Sequence, residues 1–165
     1  MSTEIYLGLG ANLGQPLAQL QFAVQALQAL SHCKLLAVSR LYGSKPVGPA
    51  NQPDYLNAAV RMQTQWDAET LLDNLQDIEQ AAGRVRLERW GARTLDIDIL
   101  LYGNQEIHSP RLTIPHVELC QRHFVVLPLL DLCPELTLPN GIKVASLATA
   151  QFNDDIHLQA HKPWW

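Results

Sequence analysis

The chain has 165 residues, 47% hydrophobic and 17% charged, so it is long and apolar enough to bury the core of one domain. A net charge of −4 argues against a nucleic-acid-binding domain and against adhesion to an anionic membrane. The 3 cysteines form no CxxC pair, which favours reduced thiols over a disulfide framework or a thiolate zinc site. The acidic start predicts no signal peptide, and no apolar stretch reaches the ~18 residues of a membrane span. We therefore expect a single cytoplasmic domain over residues 1–165.

Hydrophobic periodicity and turn residues divide the chain into strands, helices and loops. In chain order they are a strand at 5–9, a helix at 16–30, a strand at 35–42, a proline-rich loop at 44–53, a strand at 55–64, a helix at 67–82, a basic loop at 83–93, a strand at 94–102, a helix at 117–127 and a small hairpin around 139–141. The order β-α-β-β-α-β is typical of the ferredoxin-like α+β fold, with a C-terminal extension here. It predicts an antiparallel sheet with helices packed on one face.

Two aspartates occupy alternate positions in the fourth predicted strand. Because strand side chains alternate in direction, Asp96 and Asp98 share one face, roughly 6–7 Å apart, while Leu95, Ile97 and Ile99 face the core. Two like charges on a rigid apolar strand repel, and a divalent cation removes that penalty. Carboxylate oxygens favour magnesium, which prefers one or two carboxylates plus substrate phosphates. The alternative is that both aspartates simply face water.

Four arginines lie in the basic loop that leads into this strand. They are Arg84, Arg86, Arg89 and Arg93. Guanidinium groups bind phosphate in a bidentate way and stay charged, so the loop and the aspartates together suit a polyphosphate held by arginine and metal. The alternative is a solvated loop that pairs with Glu79 and Glu88.

Nucleotide-binding motifs of other folds are missing from the sequence. The glycines at 8, 10 and 14 have GxGxxxG spacing, not the GxGxxG of dinucleotide-binding turns, and there is no GxxxxGK[ST] P-loop. Tyr55, Trp90 and Phe124 could be ordinary core aromatics. With Asn57 close to Tyr55 in sequence, a flat heterocycle stacked between rings is the other interpretation.

The stretch Arg89-Trp90-Gly91-Ala92-Arg93-Thr94-Leu95-Asp96-Ile97-Asp98-Ile99-Leu100 resembles the signature of the hydroxymethyldihydropterin pyrophosphokinases. Gly10-Ala11-Asn12-Leu13-Gly14 resembles the first turn of that family. Ser44-Lys45-Pro46-Val47-Gly48 and Gln52-Pro53-Asp54-Tyr55-Leu56-Asn57-Ala58-Ala59-Val60 resemble its pterin-binding segments. Leu112-Thr113-Ile114-Pro115-His116 and Arg122-His123-Phe124 resemble its third conserved block. The likeness runs from about residue 6 to residue 134.

The resemblance implies an enzyme of folate biosynthesis that transfers diphosphate from ATP to 6-hydroxymethyl-7,8-dihydropterin and releases AMP. It implies that Asp96 and Asp98 bind two Mg²⁺ ions and that Arg84 and Arg93 assist catalysis. The implied ATP-binding residues are Gln76, Glu79, Arg84, Arg86, Arg93, Ile99, Arg111, Thr113, His116 and Arg122. The implied pterin-binding residues are Ser44, Val47, Tyr55, Asn57, Trp90, Arg93 and Phe124, with Tyr55 and Phe124 sandwiching the ring. Arg86, Arg89 and Trp90 would belong to a loop that closes over the site.

Three departures from the family pattern and two rival functions remain. Val117 stands where relatives have Tyr or Pro, Lys45 replaces an apolar residue or proline of some relatives, and the loop at 87–88 is one residue shorter than in some.

The rival functions are a metal-dependent phosphohydrolase and a non-catalytic domain that senses a nucleotide or a pterin. We expect a monomer that binds the two small substrates and neither nucleic acid nor membrane. Trp164 and Trp165 either pack on the body or mark a contact surface.

Overall fold

The computed structural model describes residues 2–45, 54–84 and 95–165. The strands are β1 (Thr3–Ala11), β2 (Cys33–Val38), β3 (Leu41–Ser44), β4 (Tyr55–Thr64), β5 (Asp96–Tyr102), β6 (Ile107–His108), β7 (Thr113–Ile114) and β8 (Ile156–Ala160). The α-helices are α1 (Pro16–Gln28), α2 (Ala68–Glu79) and α3 (His123–Leu132). A wider helical turn, Gln80–Arg84, follows α2, and its Gly83 has a φ of 100°, which glycine adopts without a Cβ penalty.

The main sheet has the strand order β5-β1-β4-β3-β8, with β2 also pairing with β4, and all of its strand pairs are antiparallel. This order confirms the predicted ferredoxin-like α+β fold. The strand predicted at 35–42 is divided at residues 39–40 into β2 and β3. Strand β8, which the sequence did not predict, pairs with the outer edge of β3.

One face of the sheet packs against α1 and α2, as predicted. The β1 side chains Ile5, Leu7 and Leu9 are buried there with the apolar stripes of both helices. Helix α2 begins after Asp67, whose carboxylate accepts a hydrogen bond from the Thr70 N–H at 2.8 Å and so caps the helix. The prediction for α1 was wrong at its end, since the helix ends at Gln28 and not at residue 30.

Helix α3 packs on the opposite face, against Tyr6, Ala59 and Leu100. The predicted helix at 117–127 was wrong in its bounds. A short 3₁₀ turn, Leu119–Gln121, comes first, and Arg122 then has an extended backbone (φ −120°, ψ 114°), so the α-helix begins only at His123. Pro128 lies inside α3 without ending it. Proline costs the helix one backbone hydrogen bond, and the burial of the apolar side chains on both sides of Pro128 offsets that cost.

A half-buried ion pair and a tyrosine hydroxyl join α3 to β3 and to the residue before it, beside the cleft described below. The Arg40 guanidinium donates to Asp131 Oδ1 of α3 at 2.9 Å, and the Tyr42 hydroxyl of β3 donates to Asp131 Oδ2 at 2.9 Å. Burial, followed by the hydrogen bond to Asp131, raises the pKa of Tyr42. The tyrosine therefore stays protonated and continues to donate, which fixes β3 against α3.

A β-bulge changes the alternation of side chains within β5. Tyr6 of β1 is opposite Leu101 and Leu7 is opposite Ile99, so Leu100 is an extra residue. Leu100 and Leu101 consequently both pack on the α3 face. Tyr102 then points to the α1 and α2 face, where its hydroxyl donates to the Trp66 carbonyl oxygen at 2.6 Å.

The C-terminal part packs back on the body of the protein. Trp164 is 7% exposed and belongs to the same core cluster as α1 and α2, which settles one of the alternatives for that residue. The predicted hairpin around 139–141 is present as a single antiparallel bridge between Thr137 and Lys143. Within the described ranges, no helix combines the length and apolar character needed to cross a membrane.

Candidate active site

A cleft of about 520 Å³ lies on the α3 face of the sheet. Strands β1, β3, β4, β5 and β8 contribute its floor, and residues 118–125, at the start of α3, contribute a wall. Helix α3 packs on part of this face, and the cleft lies beside the start of the helix. A volume of this size is typical of small-molecule sites.

The two aspartates of β5 both line the cleft. Asp96 is half-buried and opposite Gly10, and Asp98 is exposed and opposite Gly8. Because the two glycines lack side chains, nothing on the neighbouring strand β1 covers the carboxylates. Ile97 and Ile99 are 4% and 3% exposed on the other face, which confirms the predicted alternation of β5.

The charges around the cleft bear on whether a metal would fit. The described lining carries four carboxylates, from Asp96, Asp98, Glu118 and Asp155, and the cations of Lys45 and Arg122. Among the described residues, no group of three or more His, Cys, Asp or Glu side chains could hold a metal ion. Two carboxylates without a third protein ligand fit Mg²⁺, which completes its shell with water and substrate phosphates, and do not fit a structural zinc.

A buried amide and hydroxyl pair forms the inner end of the cleft. Asn57 on β4 and Ser44 on β3 are 3% and 5% exposed, and Asn57 Nδ2 donates to Ser44 Oγ at 2.7 Å. Strand pairing places Asn57 opposite Gly10, where a Cβ would lie 3.4 Å from Asn57 Oδ1. The bond to Ser44 fixes the amide orientation, so that its remaining groups are fixed relative to the cleft.

Two aromatic side chains predicted to hold a heterocycle both line the same cleft. Tyr55 begins β4, and Phe124 is in the first turn of α3. Burial, and then the negative charge of Asp96, raises the pKa of Tyr55. The Arg122 guanidinium lies 5.5 Å from the Phe124 ring centroid and donates to Glu118 Oε1 at 2.6 Å. Arg122 therefore has a fixed direction beside the ring.

Several predicted ATP-binding residues lie outside this lining. Arg111 bonds Glu69 at 3.1 Å and Asp73 at 2.7 Å, and Asp73 is the main cause of its raised pKa. Its guanidinium is also 3.4 Å from Gln76 Oε1.

Four more of the predicted ATP-binding residues also lie outside the described lining. Glu79 is 6% exposed and accepts a hydrogen bond from the Ile97 N–H at 2.7 Å, which ties α2 to the aspartate strand. Thr113 is half-buried in β7, and His116 Nδ1 accepts from the Glu118 N–H at 3.2 Å. Ile99, also predicted for ATP, has its side chain in the core of the opposite face.

Six predicted site residues cannot be placed in this geometry. Val47, Arg86, Arg89, Trp90, Arg93 and the side chain of Arg84 lie outside the described residues. Conversely, the cleft includes Asp155 and Ile156, which sequence reasoning did not propose. No local pattern marks them, because they enter the site only through the pairing of β8 with β3.

The geometry defines a class of protein, a ferredoxin-like enzyme with paired carboxylates and a buried amide around one cleft. The model of the 7,8-dihydro-6-hydroxymethylpterin-pyrophosphokinase (HPPK) family matches residues 6–134. The chain belongs to this family. The predicted enzyme class, a pyrophosphokinase of folate biosynthesis, is thereby confirmed.

Individual relatives agree with this assignment. The chain is 49% identical over 149 residues to the 2-amino-4-hydroxy-6-hydroxymethyldihydropteridine pyrophosphokinase of Haemophilus influenzae, covering 90% of this chain and 92% of that protein. It is 47% identical over 150 residues to the Pseudomonas aeruginosa protein of the same name, with 91% and 93% covered. A crystal structure of an HPPK-DHPS in complex with substrates has a TM-score of 0.70 and 14% identity. It covers 90% of this chain, which spans 42% of that one, and it supports the fold.

Proposed function

We propose that this protein transfers a diphosphate group from ATP to the hydroxymethyl oxygen of 6-hydroxymethyl-7,8-dihydropterin in the cleft on the α3 face. The observation that carries the proposal is that Asp96 and Asp98 line the same cleft as Asn57 and Ser44. Carboxylates suited to a metal-bound polyphosphate thus stand beside groups suited to a flat polar heterocycle.

The proposed reaction is a direct, in-line transfer. The hydroxymethyl oxygen forms a bond to the β-phosphorus of ATP, the bond from that phosphorus to the oxygen bridging to the α-phosphorus breaks, and AMP leaves. The hydroxyl proton is released. No covalent intermediate with the protein is required, so the work of the protein is to position the two substrates and to stabilise the charge that develops.

The pterin half of the site rests on polar and aromatic groups. The Asn57 amide, oriented by Ser44, would pair with donor and acceptor atoms at the edge of the pterin. Tyr55 and Phe124 would pack on the faces of its ring. Stacking supplies affinity, and the oriented amide supplies selectivity because a ring without the matching edge would leave buried polar groups unpaired.

The phosphate half of the site rests on Asp96 and Asp98, which would hold Mg²⁺. When bound, two such ions would neutralise phosphate charge and align the triphosphate. The β5 strand holds the two carboxylates on one rigid face. Arg122 is one described cation of the lining, and the family resemblance implies further roles on ATP for Arg84 and Arg93.

The chain is further proposed to work as a cytoplasmic monomer. One chain contributes the aspartates, the amide and the aromatic residues of the cleft, so this part of the site is complete without a second copy. Light scattering of the purified protein should give a mass close to 18.4 kDa. A stable dimer mass would contradict this inference without affecting the proposed chemistry.

The first experiment mixes the purified protein with ATP, MgCl₂ and 6-hydroxymethyl-7,8-dihydropterin and separates the nucleotides by chromatography. AMP that forms only when the pterin is present is the expected result. Phosphate or pyrophosphate released from ATP without pterin would favour a hydrolase and overturn the proposal. Binding of both ligands with no AMP would favour a sensor. A reaction with EDTA in place of MgCl₂ tests the metal, and turnover there would contradict it.

A further inference from the structure

The C-terminal strand β8 supports the part of the cleft that carries Ser44. Strand β3 is only four residues long, and β4 pairs with one of its edges. Strand β8 pairs with the other edge, placing Ile156 opposite Ser44 and Leu158 opposite Tyr42. A short strand bonded on both sides is held more firmly than an edge strand, so β8 restricts the position of Ser44.

The same segment reaches the cleft itself. The Lys45 N–H donates to the Asp155 carbonyl oxygen at 2.9 Å, and Lys45 Nζ lies 3.9 Å from Asp155 Oδ1. Asp155 and Ile156 both line the cleft. Because the two side chains of the ion pair are mostly exposed, the backbone bond is the firmer of the two links.

Trp164 anchors the far end of this segment in the core. Its indole Nε1 donates to the Ser39 carbonyl oxygen at 2.8 Å, and its own carbonyl oxygen accepts from Gln21 Nε2 at 2.7 Å. Ser39 is the joint between β2 and β3, and its hydroxyl accepts from the Ala59 N–H of β4 at 2.9 Å. The tryptophan therefore bonds to the joint from which β3 leads to the cleft.

We propose that Trp164 is a positioning residue for the pterin half of the active site. It fixes the Ser39 joint and the end of β8, and these hold β3 so that Ser44 orients the Asn57 amide. This inference rests on the proposed function, since it assigns the pterin to that amide. The hydrogen bonds of Trp164 go to Ser39 and Gln21, which are not among the described lining residues, and Ser39 leads into β3, so its effect falls on pterin binding rather than on ATP binding.

The test compares Trp164→Ala and Trp164→Phe with the matched control Trp165→Ala, whose side chain is 37% exposed. Trp164→Ala should raise KM and Kd for the pterin about tenfold and change kcat and the KM for ATP less than about twofold. Trp164→Phe keeps a ring but loses the N–H, so a smaller rise of about threefold is expected. Trp165→Ala removes the edge-on ring contact with Trp164 but leaves both Trp164 hydrogen bonds in place, so it should change neither substrate constant by more than about twofold. Combining Trp164→Ala with Ser44→Ala should give less than the product of the separate effects, because both act through one hydrogen bond.

Two results would overturn the proposal. One is a lower thermal midpoint for Trp164→Ala with unchanged pterin KM and Kd; the other is an equal rise in KM for both substrates. If Trp164→Ala does not fold, Trp164→Phe provides the test. The backbone amides of residues 41–45 in Trp164→Phe should exchange with solvent faster than in the unsubstituted protein. Unchanged exchange would contradict the proposal. If the unsubstituted protein binds pterin but forms no AMP, the proposed function is refuted. The role of Trp164 is then tested by the pterin Kd of its variants alone.

Discussion

The two faces of the central sheet are built from the same strands but differ in how completely they are covered. On the α1 and α2 face, Leu7, Leu9, Ile97 and Ile99 are almost fully buried. The residues that alternate with these four along β1 and β5 face the α3 side. At one end of the sheet they are the glycines 8 and 10 and the aspartates 96 and 98. Alternation along a strand lets the sequence build a stable core on one face and a polar site on the other.

The largest expected effect comes from the open face. Asp96→Asn and Asp98→Asn keep the shape of the side chains and remove the charge, so each should lower kcat/KM roughly 10³-fold if the carboxylates hold Mg²⁺. Thermal unfolding should change less than activity, because Asp98 is exposed and Asp96 is only half-buried. Pterin-dependent AMP formation measures the loss.

The matched control is Asp77→Asn, at an exposed position of α2 away from the cleft, which should retain full activity. Retention of more than about a tenth of the activity in the Asp96 and Asp98 variants together would contradict the metal assignment.

The next effect comes from the covered face. Leu7 is 0% exposed, so Leu7→Ala should lower the free energy of unfolding by about 2–5 kcal/mol through lost burial and a cavity. Activity per folded molecule should remain close to that of the unsubstituted protein. Urea unfolding and the AMP assay below the unfolding transition measure the two quantities. Leu17→Ala, at a position 42% exposed, is the control with little expected change.

The smallest effect lies at the rim of the covered face, at the cap of α2. The Thr70 N–H donates to Asp67 and lowers the pKa of that carboxyl below its ordinary value of 3.8. The ionised Asp67 carboxylate therefore contributes to the free energy of unfolding above pH 3.8, and this contribution is lost as the pH falls through the folded-state pKa. Asp67→Ala should unfold at a lower urea concentration at pH 7, and the difference should shrink in acid. Asp67→Asn, which keeps a capping oxygen, should show less pH dependence, and equal pH dependence in both would contradict the assignment.

The part of the site that depends on local pattern was predictable from the sequence. Period-two alternation placed Asp96 and Asp98 on one face, and helical periodicity placed α2 within residues 67–82. The pocket residues Ser44, Asn57, Tyr55 and Phe124 were proposed from family likeness, and the structure brings them to one cleft. Their individual roles stay predictions.

The features that the sequence did not predict depend on contacts between distant segments. The division into β2 and β3 at Ser39 follows from hydrogen bonds to Ala59, and β8 forms because β3 offers it an open edge. Helix α3 begins later than its apolar pattern suggests, because Leu119–Gln121 first turns as a 3₁₀ segment. Local propensity carries no information about such partners.

The bulge at Leu100 also divides β5 into two stretches with opposite phase. Before it, even-numbered positions face the cleft and odd-numbered positions face the α1 and α2 core, whereas after it Tyr102 faces that core. A saturation mutational scan of the strand should therefore show sensitivity of catalysis at 96 and 98. Sensitivity of folding should appear at 97 and 99 and then at every position from 100 to 102.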